Sequence, residues 1–192
     1  MVSWTSSRCQ YKRYVAGRRI RRQVRRSLQI LGLVCAAAAA DTGAQANNWR
    51  QCLTDSRGAV EACTATIFLN PTSDGAFVNR GIAYRRRGDL DLAIRDYTEA
   101  IRLNPQAADA FNNRGNAYQN SGDFEHALAD YDEAIRLNPA YAHAYNNRGV
   151  LFLECGNLDR ATADFNQAIR HDPSYANAHR NKALALEQGG SS

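Results

Sequence analysis

The residue types that most often carry catalysis are present in this sequence, but not at spacings that would let them work together. Its four histidines, His126, His143, His171 and His179, are scattered. None belongs to a His-Glu-x-x-His helix, and no Cys-x-x-Cys pair offers a metal site. Serines are few after residue 74, and none stands in the Gly-x-Ser-x-Gly turn that exposes a hydrolase nucleophile. Asp130, Asp132 and Glu133 read as a solvated helix face rather than as a matched acid and base. Neither catalytic residues nor a metal or other cofactor are therefore expected, and what is left is the chemistry of recognition. Arg85-Arg86-Arg87 is a compact basic run whose position suits either the negative end of a helix or the rim of a binding surface. Cys52 and Cys63 flank a turn at Asp55 to Gly58, so they are expected to face each other across a helical hairpin and form a disulfide in an oxidising compartment, with two buried thiols as the alternative. Cys155, immediately before Gly156, stands outside that pair.

Charge distribution narrows the partner. The chain has 24 Lys and Arg against 19 Asp and Glu, a formal net charge of +5. Nine of those basic residues and only one acid, Asp41, lie in residues 1–46, which leaves 15 basic and 18 acidic residues and a charge of −3 on residues 47–192. A body of that sign is not expected to bind nucleic acid. The front segment reads instead as an export signal: a basic stretch, then Leu28 to Ala40 with Gln29 as its one polar side chain, then Ala44-Gln45-Ala46 as a small-x-small cleavage site. The apolar stretch is shorter than the roughly 18–20 residues a bilayer span requires, so no stable membrane anchor is expected. Residues 1–46 are read as a cleavable signal, and the mature chain is expected in the periplasm or outside the cell.

The remaining sequence repeats itself. Asn79-Arg80-Gly81, Asn113-Arg114-Gly115 and Asn147-Arg148-Gly149 recur every 34 residues. Gly88, Gly122 and Gly156 keep the same step, as do Ala93, Ala127 and Ala161, then Tyr97, Tyr131 and Phe165, then Pro105, Pro139 and Pro173. Within each period an apolar stripe at helical spacing appears twice, as in Ala110, Phe111, Ala117 and Tyr118, followed by Phe124, Ala127, Leu128, Tyr131, Ala134, Ile135 and Leu137. These are two amphipathic helices. Gly122 closes the first in the left-handed region, Asp123 starts the second, and Asn138-Pro139 ends it; Gly88-Asp89 and Gly156-Asn157 are expected to act likewise. Gly81, Gly115 and Gly149 sit mid-helix, where glycine costs about 1 kcal/mol relative to Ala, and close approach of a neighbouring helix would compensate. The aromatics Tyr84, Tyr97, Tyr118, Tyr131, Phe152 and Phe165 are accordingly read as core.

This pattern resembles the tetratricopeptide-repeat family, through Gly81-x-x-Tyr84, Ala93-x-x-x-Tyr97 and Pro105 on a 34-residue period. The resemblance implies an all-α fold, a right-handed superhelical solenoid of antiparallel helix pairs. Three full repeats cover 74–107, 108–141 and 142–175, a degenerate hairpin covers 47–73, and a capping helix and tail cover 176–192. Family resemblance also places the first helix of each repeat on a concave groove and implies a non-enzymatic module that binds a protein or peptide client there. The groove positions so assigned include Asn112 and Asn146, Asn116, Arg85 and Arg86, His143 and Glu154. Val78, Asn112 and Asn146 occupy the place where the subfamily that grips chaperone C-terminal tails carries lysine, so that kind of ligand is not expected. Asn79, Asn113, Asn147 and Asn181 stand one repeat apart in a row and resemble the asparagine ladder with which some members hold peptide backbone; common descent of the repeats or bonding to a neighbouring helix would also explain them. The competing reading is a structural subunit that self-associates into a homo-oligomer, through its inter-repeat surface or Cys155, without a separate client.

Overall fold

The structure, a computed structural model, describes residues 58–190. Among these residues there are eight helices and no strands: α1 (Ala59–Leu69), α2 (Asp74–Arg87), α3 (Leu90–Leu103), α4 (Ala108–Ser121), α5 (Phe124–Leu137), α6 (Ala142–Glu154), α7 (Leu158–His171) and α8 (Ala176–Gly190). The chain is all-α. Helices α2 and α3, α4 and α5, and α6 and α7 form antiparallel pairs that stack in sequence order, and among the described residues α1 and α8 flank them. The helix expected before Asp55 and the export signal both lie outside the described residues.

Local sequence sets the boundaries. Gly88, Gly122 and Gly156 have φ of 85°, 86° and 79°, a region where a side chain would be strained. The following residue's N–H then reaches back to a carbonyl one turn earlier, as in Asp123 N to Tyr118 O at 2.9 Å, which satisfies an otherwise orphaned acceptor. Asp123 and Asn157 cap α5 and α7 by accepting from the backbone N–H of His126 and Arg160. Asp89 does not cap α3; its carboxylate lies 3.3 Å from Arg87 instead. At the other helix ends, Asn104, Asn138 and Asp172 precede proline in an extended conformation. Each turns its side-chain oxygen to the backbone N–H two residues on, at 3.2, 3.1 and 3.0 Å.

The core is a column of small and aromatic residues. Ala93, Ala127, Ala161, Tyr97, Tyr131 and Phe165 are fully buried. Each mid-helix glycine faces the aromatic ring 16 residues later. A Cβ on Gly81, Gly115 or Gly149 would stand 2.6, 2.7 or 2.6 Å from the ring of Tyr97, Tyr131 or Phe165. The glycine is thus the socket for the ring, and its propensity cost is offset by burying an aromatic side chain. Tyr84 and Tyr118 are half-buried rather than core. They flank a guanidinium: Arg80 lies between Phe77 and Tyr84, Arg114 between Phe111 and Tyr118, and Arg148 between Tyr145 and Phe152, all 5.6 to 5.9 Å from the ring centroids.

Those arginines tie three helices together. Arg80, Arg114 and Arg148 each make a two-pronged ion pair at 2.7 to 2.8 Å with Asp96, Asp130 or Asp164. Each also reaches the preceding repeat, at Thr64, Thr98 and Asp132 respectively. Reading Asp130 as part of a solvated face was therefore wrong: it is buried, because a 16-residue step brings the second helix of a repeat opposite the arginine of the first. Asp132 pairs with Arg148, and Glu133 with Arg136 one turn away.

Candidate peptide groove

The first helices α2, α4, α6 and α8 lie side by side, each touching the next, and their shared face carries the residues expected to bind a client. The fifth and sixth positions of these helices are linked between repeats by side-chain amides. Asn181 Nδ2 donates to Asn146 Oδ1 at 3.0 Å, Asn146 Nδ2 lies 3.4 Å from Asn147 Oδ1, and Asn147 Nδ2 donates to Asn112 Oδ1 at 2.9 Å. Asn112 and Asn146 are buried. These four carboxamides thus form a relay that stitches α4, α6 and α8 together, and Asn112 and Asn146 are withdrawn from the groove surface they were expected to line.

The relay stops at α4 for a simple reason. The residue that Asn113 would bond, 35 positions earlier, is Val78, which has no acceptor. Asn113 and Asn79 are half-buried and their carboxamides make no hydrogen bond. The asparagine row therefore divides: Asn147 and Asn181 are occupied in joining repeats, whereas Asn79 and Asn113 keep donor and acceptor free on the groove.

A second line of polar groups runs deeper, where the second-helix aromatic of each repeat points its ring tip at the ninth and twelfth positions of the first helix. In the middle repeat the Tyr131 hydroxyl lies 2.8 Å from Asn116 Oδ1 and 2.7 Å from Gln119 Oε1. A phenol has one hydrogen and donates to one of these at a time, so between them they satisfy it fully. Asn116, expected in the client site, is held by this bond. In the last repeat the aromatic is Phe165, with no hydroxyl, and the matching positions are Val150 and Leu153. In the first repeat the aromatic is Tyr97, the matching positions are Ile82 and Arg85, and the arrangement is less complete: Tyr97 Oη and Arg85 Nε are both buried short of good hydrogen-bond geometry, with the Arg85 guanidinium close enough to act on the hydroxyl. Leaving a buried polar group unpaired costs about 1–3 kcal/mol, so the pair is an expense that Phe and Leu show to be avoidable. Burial pushes the Tyr97 phenol up to about 12, although the charge of the Arg85 guanidinium and its hydrogen bond to the phenol, with a smaller pull from Arg86, act the other way.

Arg86 is exposed, and neither Arg85 nor Arg86 forms an ion pair. They account for two of the three residues of the basic run, while Arg87 faces Asp89 at 3.3 Å. His143 is exposed between the rings of Tyr141 and Tyr175, with centroids 5.9 and 4.7 Å away. Burial raises the Tyr131 phenol, the Glu154 carboxylate adding to the rise and the Arg85 guanidinium opposing it. Cys63 and Cys155 are buried and disulfide-bonded. Cys52 lies outside the described residues, and burial removes Cys155 from any surface that a second chain could reach. Sequence reasoning missed Gln119 as the partner of Tyr131 and the Tyr97 hydroxyl as a buried polar group. The signal was the repeat-to-repeat change from Tyr to Phe alongside Arg, Gln and Leu at the twelfth position.

Among the described residues no helix is long and apolar enough to cross a membrane, and no cluster of His, Cys, Asp and Glu is arranged to hold a metal ion. No curated protein sequence matches the chain. Two family profiles do: one described as TPR repeat over residues 81–122, and one described as tetratricopeptide repeat over 108–141 and 142–175. Among solved structures, the first TPR of Spaghetti (RPAP3), bound to the HSP90 peptide SRMEEVD, is 26% identical with a TM-score of 0.58, over 62% of this chain and 94% of that one. The first TPR domain of human RPAP3 is 25% identical with a TM-score of 0.61, over 64% and 96%. MamA is 24% identical with a TM-score of 0.64, over 79% and 86%, which shows a shared fold. With its repeats, sockets and helix pairs all in phase with those profiles, the chain belongs to the tetratricopeptide-repeat family.

Proposed function

We propose that this protein is a non-enzymatic adaptor that holds an extended polypeptide segment along the face formed by α2, α4, α6 and α8. The observation that carries this reading is the pair of unbonded carboxamides, Asn79 and Asn113, one repeat apart on that face. A carboxamide offers donor and acceptor together, so it pairs with main-chain N–H and C=O whatever the side chains of the bound segment. Peptide binding by a structurally similar domain supports the reading. Arg85, Arg86, His143 and Glu154 add selectivity around that tolerant grip.

The test is fluorescence anisotropy with a labelled pool of capped random decapeptides. Replacing both Asn79 and Asn113 by Ala should weaken binding by about 1–3 kcal/mol without loss of helicity. Unchanged affinity in the folded double variant rules the grip out. The same protein is proposed to act after export, with a mature N-terminus at Asn47; recovery of the soluble protein with residues 1–46 intact would refute that part.

A second reading has its own observation. Phe68 and Leu69 at the end of α1 are 84% and 59% exposed, and Leu184 and Leu186 on α8 are 43% and 54% exposed, so apolar side chains are bare at both ends of the stack. End-to-end association would cover them. Light scattering on the eluted protein decides: a monomer at all concentrations excludes the self-associating subunit.

A further inference from the structure

The ninth, twelfth and thirteenth positions of the first helices change character along the groove. In α2 the last two are the cations Arg85 and Arg86, and in α4 all three are amides. In α6 they are Val150, Leu153 and Glu154, and in α8 the first two are Leu184 and Glu187. Val150 and Leu153 are half-buried against the cluster around Phe165, and Leu184, one repeat further on, is 43% exposed. Helices α6 and α8 touch, so the last part of the groove is an apolar strip with two carboxylates on its rim. The groove therefore runs from positive at α2, through neutral amides, to apolar and negative at α6 and α8.

We propose that residues 1–46, for as long as they stay on the chain, occupy the α6 and α8 end of the groove and hinder the entry of a client. Their composition is the complement of that surface. They hold nine Lys and Arg and one acid, with Arg21, Arg22, Arg25 and Arg26 just ahead of the apolar run Leu28 to Ala40. The apolar run covers Val150, Leu153 and Leu184, and the arginines ahead of it meet Glu154 and Glu187. The opposite end of the groove repels the same segment through Arg85 and Arg86. The tether is long enough. Residues 41–57, which join the apolar run to the stack, span up to about 55–60 Å when extended, and three helix-to-helix steps from α2 to α8 amount to about 24–30 Å. A segment so tethered is present at an effective concentration on the order of 1 mM, so a dissociation constant of about 0.1 mM for the free segment lowers client affinity about tenfold. This closure rests on the groove reading above and adds its regulation: a folded precursor holds clients weakly, and cleavage after Ala46 opens the site because a released segment loses its local concentration.

The experiment compares full-length chains, residues 1–46 included, by anisotropy of the labelled pool of capped random decapeptides and by nitrogen-15 NMR of the Leu184 and Glu187 amides. A full chain with Arg21→Gln, Arg22→Gln, Arg25→Gln and Arg26→Gln should bind the pool about tenfold more tightly than the parent, by the same effective-concentration arithmetic, and should shift those two amides. Raising salt from roughly 50 to 500 mM should narrow the difference, because screening weakens an exposed charge match. Neither Glu154 nor Glu187 is buried, so a Glu154→Lys, Glu187→Lys background should fold. In that background residues 1–46 should no longer hinder the pool, and changing the same four arginines to Glu should restore the hindrance at least threefold. Equal affinity of parent and Gln variant with unmoved amides, or a hindrance that persists in the Lys background, overturns the closure and spares the groove. Amide shifts that grow with protein concentration assign the contact to the segment of a second copy and overturn closure within one chain. Charge-dependent shifts at Leu184 and Glu187 in a protein that takes up no peptide in any variant uphold the contact and overturn the groove.

Discussion

Replacing Gly115 by Ala tests the physical reason for the mid-helix glycine. A methyl group there would lie 2.7 and 2.9 Å from Cε1 and Cδ1 of Tyr131 and 3.2 Å from the Ala127 carbonyl oxygen. Carbon atoms in contact prefer about 3.5–4.0 Å, so the ring or the helix must move by close to an ångström. The ring has nowhere to go. It is fully buried, and its hydroxyl is fixed by Asn116 and Gln119. Overpacking of this kind costs about 1–3 kcal/mol, against a gain of about 1 kcal/mol from replacing a helical glycine. Gly75→Ala provides the reference, because Gly75 is also helical yet has nothing within 4 Å of its would-be Cβ. Both variants make the same change within a helix, so most of the difference between them reports the clash, although Gly75 stands in the first turn, where Ala gains less than mid-helix. Gly75→Ala should stabilise slightly, and Gly115→Ala should lie about 1–3 kcal/mol below it in urea unfolding followed by circular dichroism. Tyr131→Leu, which removes the ring, should turn Gly115→Ala from harmful to helpful in a double-variant cycle. A Gly115→Ala protein as stable as Gly75→Ala, with the same denaturant slope, would refute the socket.

The buried ion pairs make a directional prediction. Arg114→Leu should cost about 3–5 kcal/mol because it strands the Asp130 carboxylate, and adding Asp130→Leu should recover much of that loss; a double variant less stable than the single one contradicts the reasoning. Asn147→Ala should cost about 1–2 kcal/mol by orphaning Asn112, whereas Asn113→Ala, which breaks no bond, should stay within about 0.5 kcal/mol of the parent, both read from urea midpoints. At high pH the raised Tyr97 phenol, about 12 in the folded chain against 10 for an ordinary tyrosine, means the folded state holds this proton more tightly. Its contribution is whole below pH 10 and is lost as pH rises through 12, on the order of 2–3 kcal/mol, so the parent should lose stability more steeply than Tyr97→Phe across that window; equal slopes would refute it.

The fold was legible because a repeat states its own geometry. One 34-residue step placed every pair of helices, and the glycine, proline and capping positions were readable as local chemistry. What the period concealed was which in-phase residues face each other. Arg114 and Asp130 recur in step as plainly as Gly115 and Tyr131, but only the stacking shows that a 16-residue offset buries the acid under the arginine. Read alone on its helix, Asp130 looks solvated.

The groove was harder for a related reason. In a stack of copies, a side chain that is the same in every repeat can meet different neighbours, and the neighbour decides its use. Asn113 and Asn147 are identical by position, yet one faces Val78 and is free while the other faces Asn112 and is bonded. The informative positions are therefore those at which the repeats disagree. Tyr97, Tyr131 and Phe165 differ by one hydroxyl, and Arg85, Gln119 and Leu153 differ in step with them. Two of the three combinations are complete within the protein: a hydroxyl with its amides, and a bare ring with apolar neighbours. In the first repeat a hydroxyl and a guanidinium stand together in the core without reaching full hydrogen-bond geometry. That asymmetry gives the stack a direction, with the imperfectly satisfied repeat at α2 and α3 and the self-satisfied repeats beyond it.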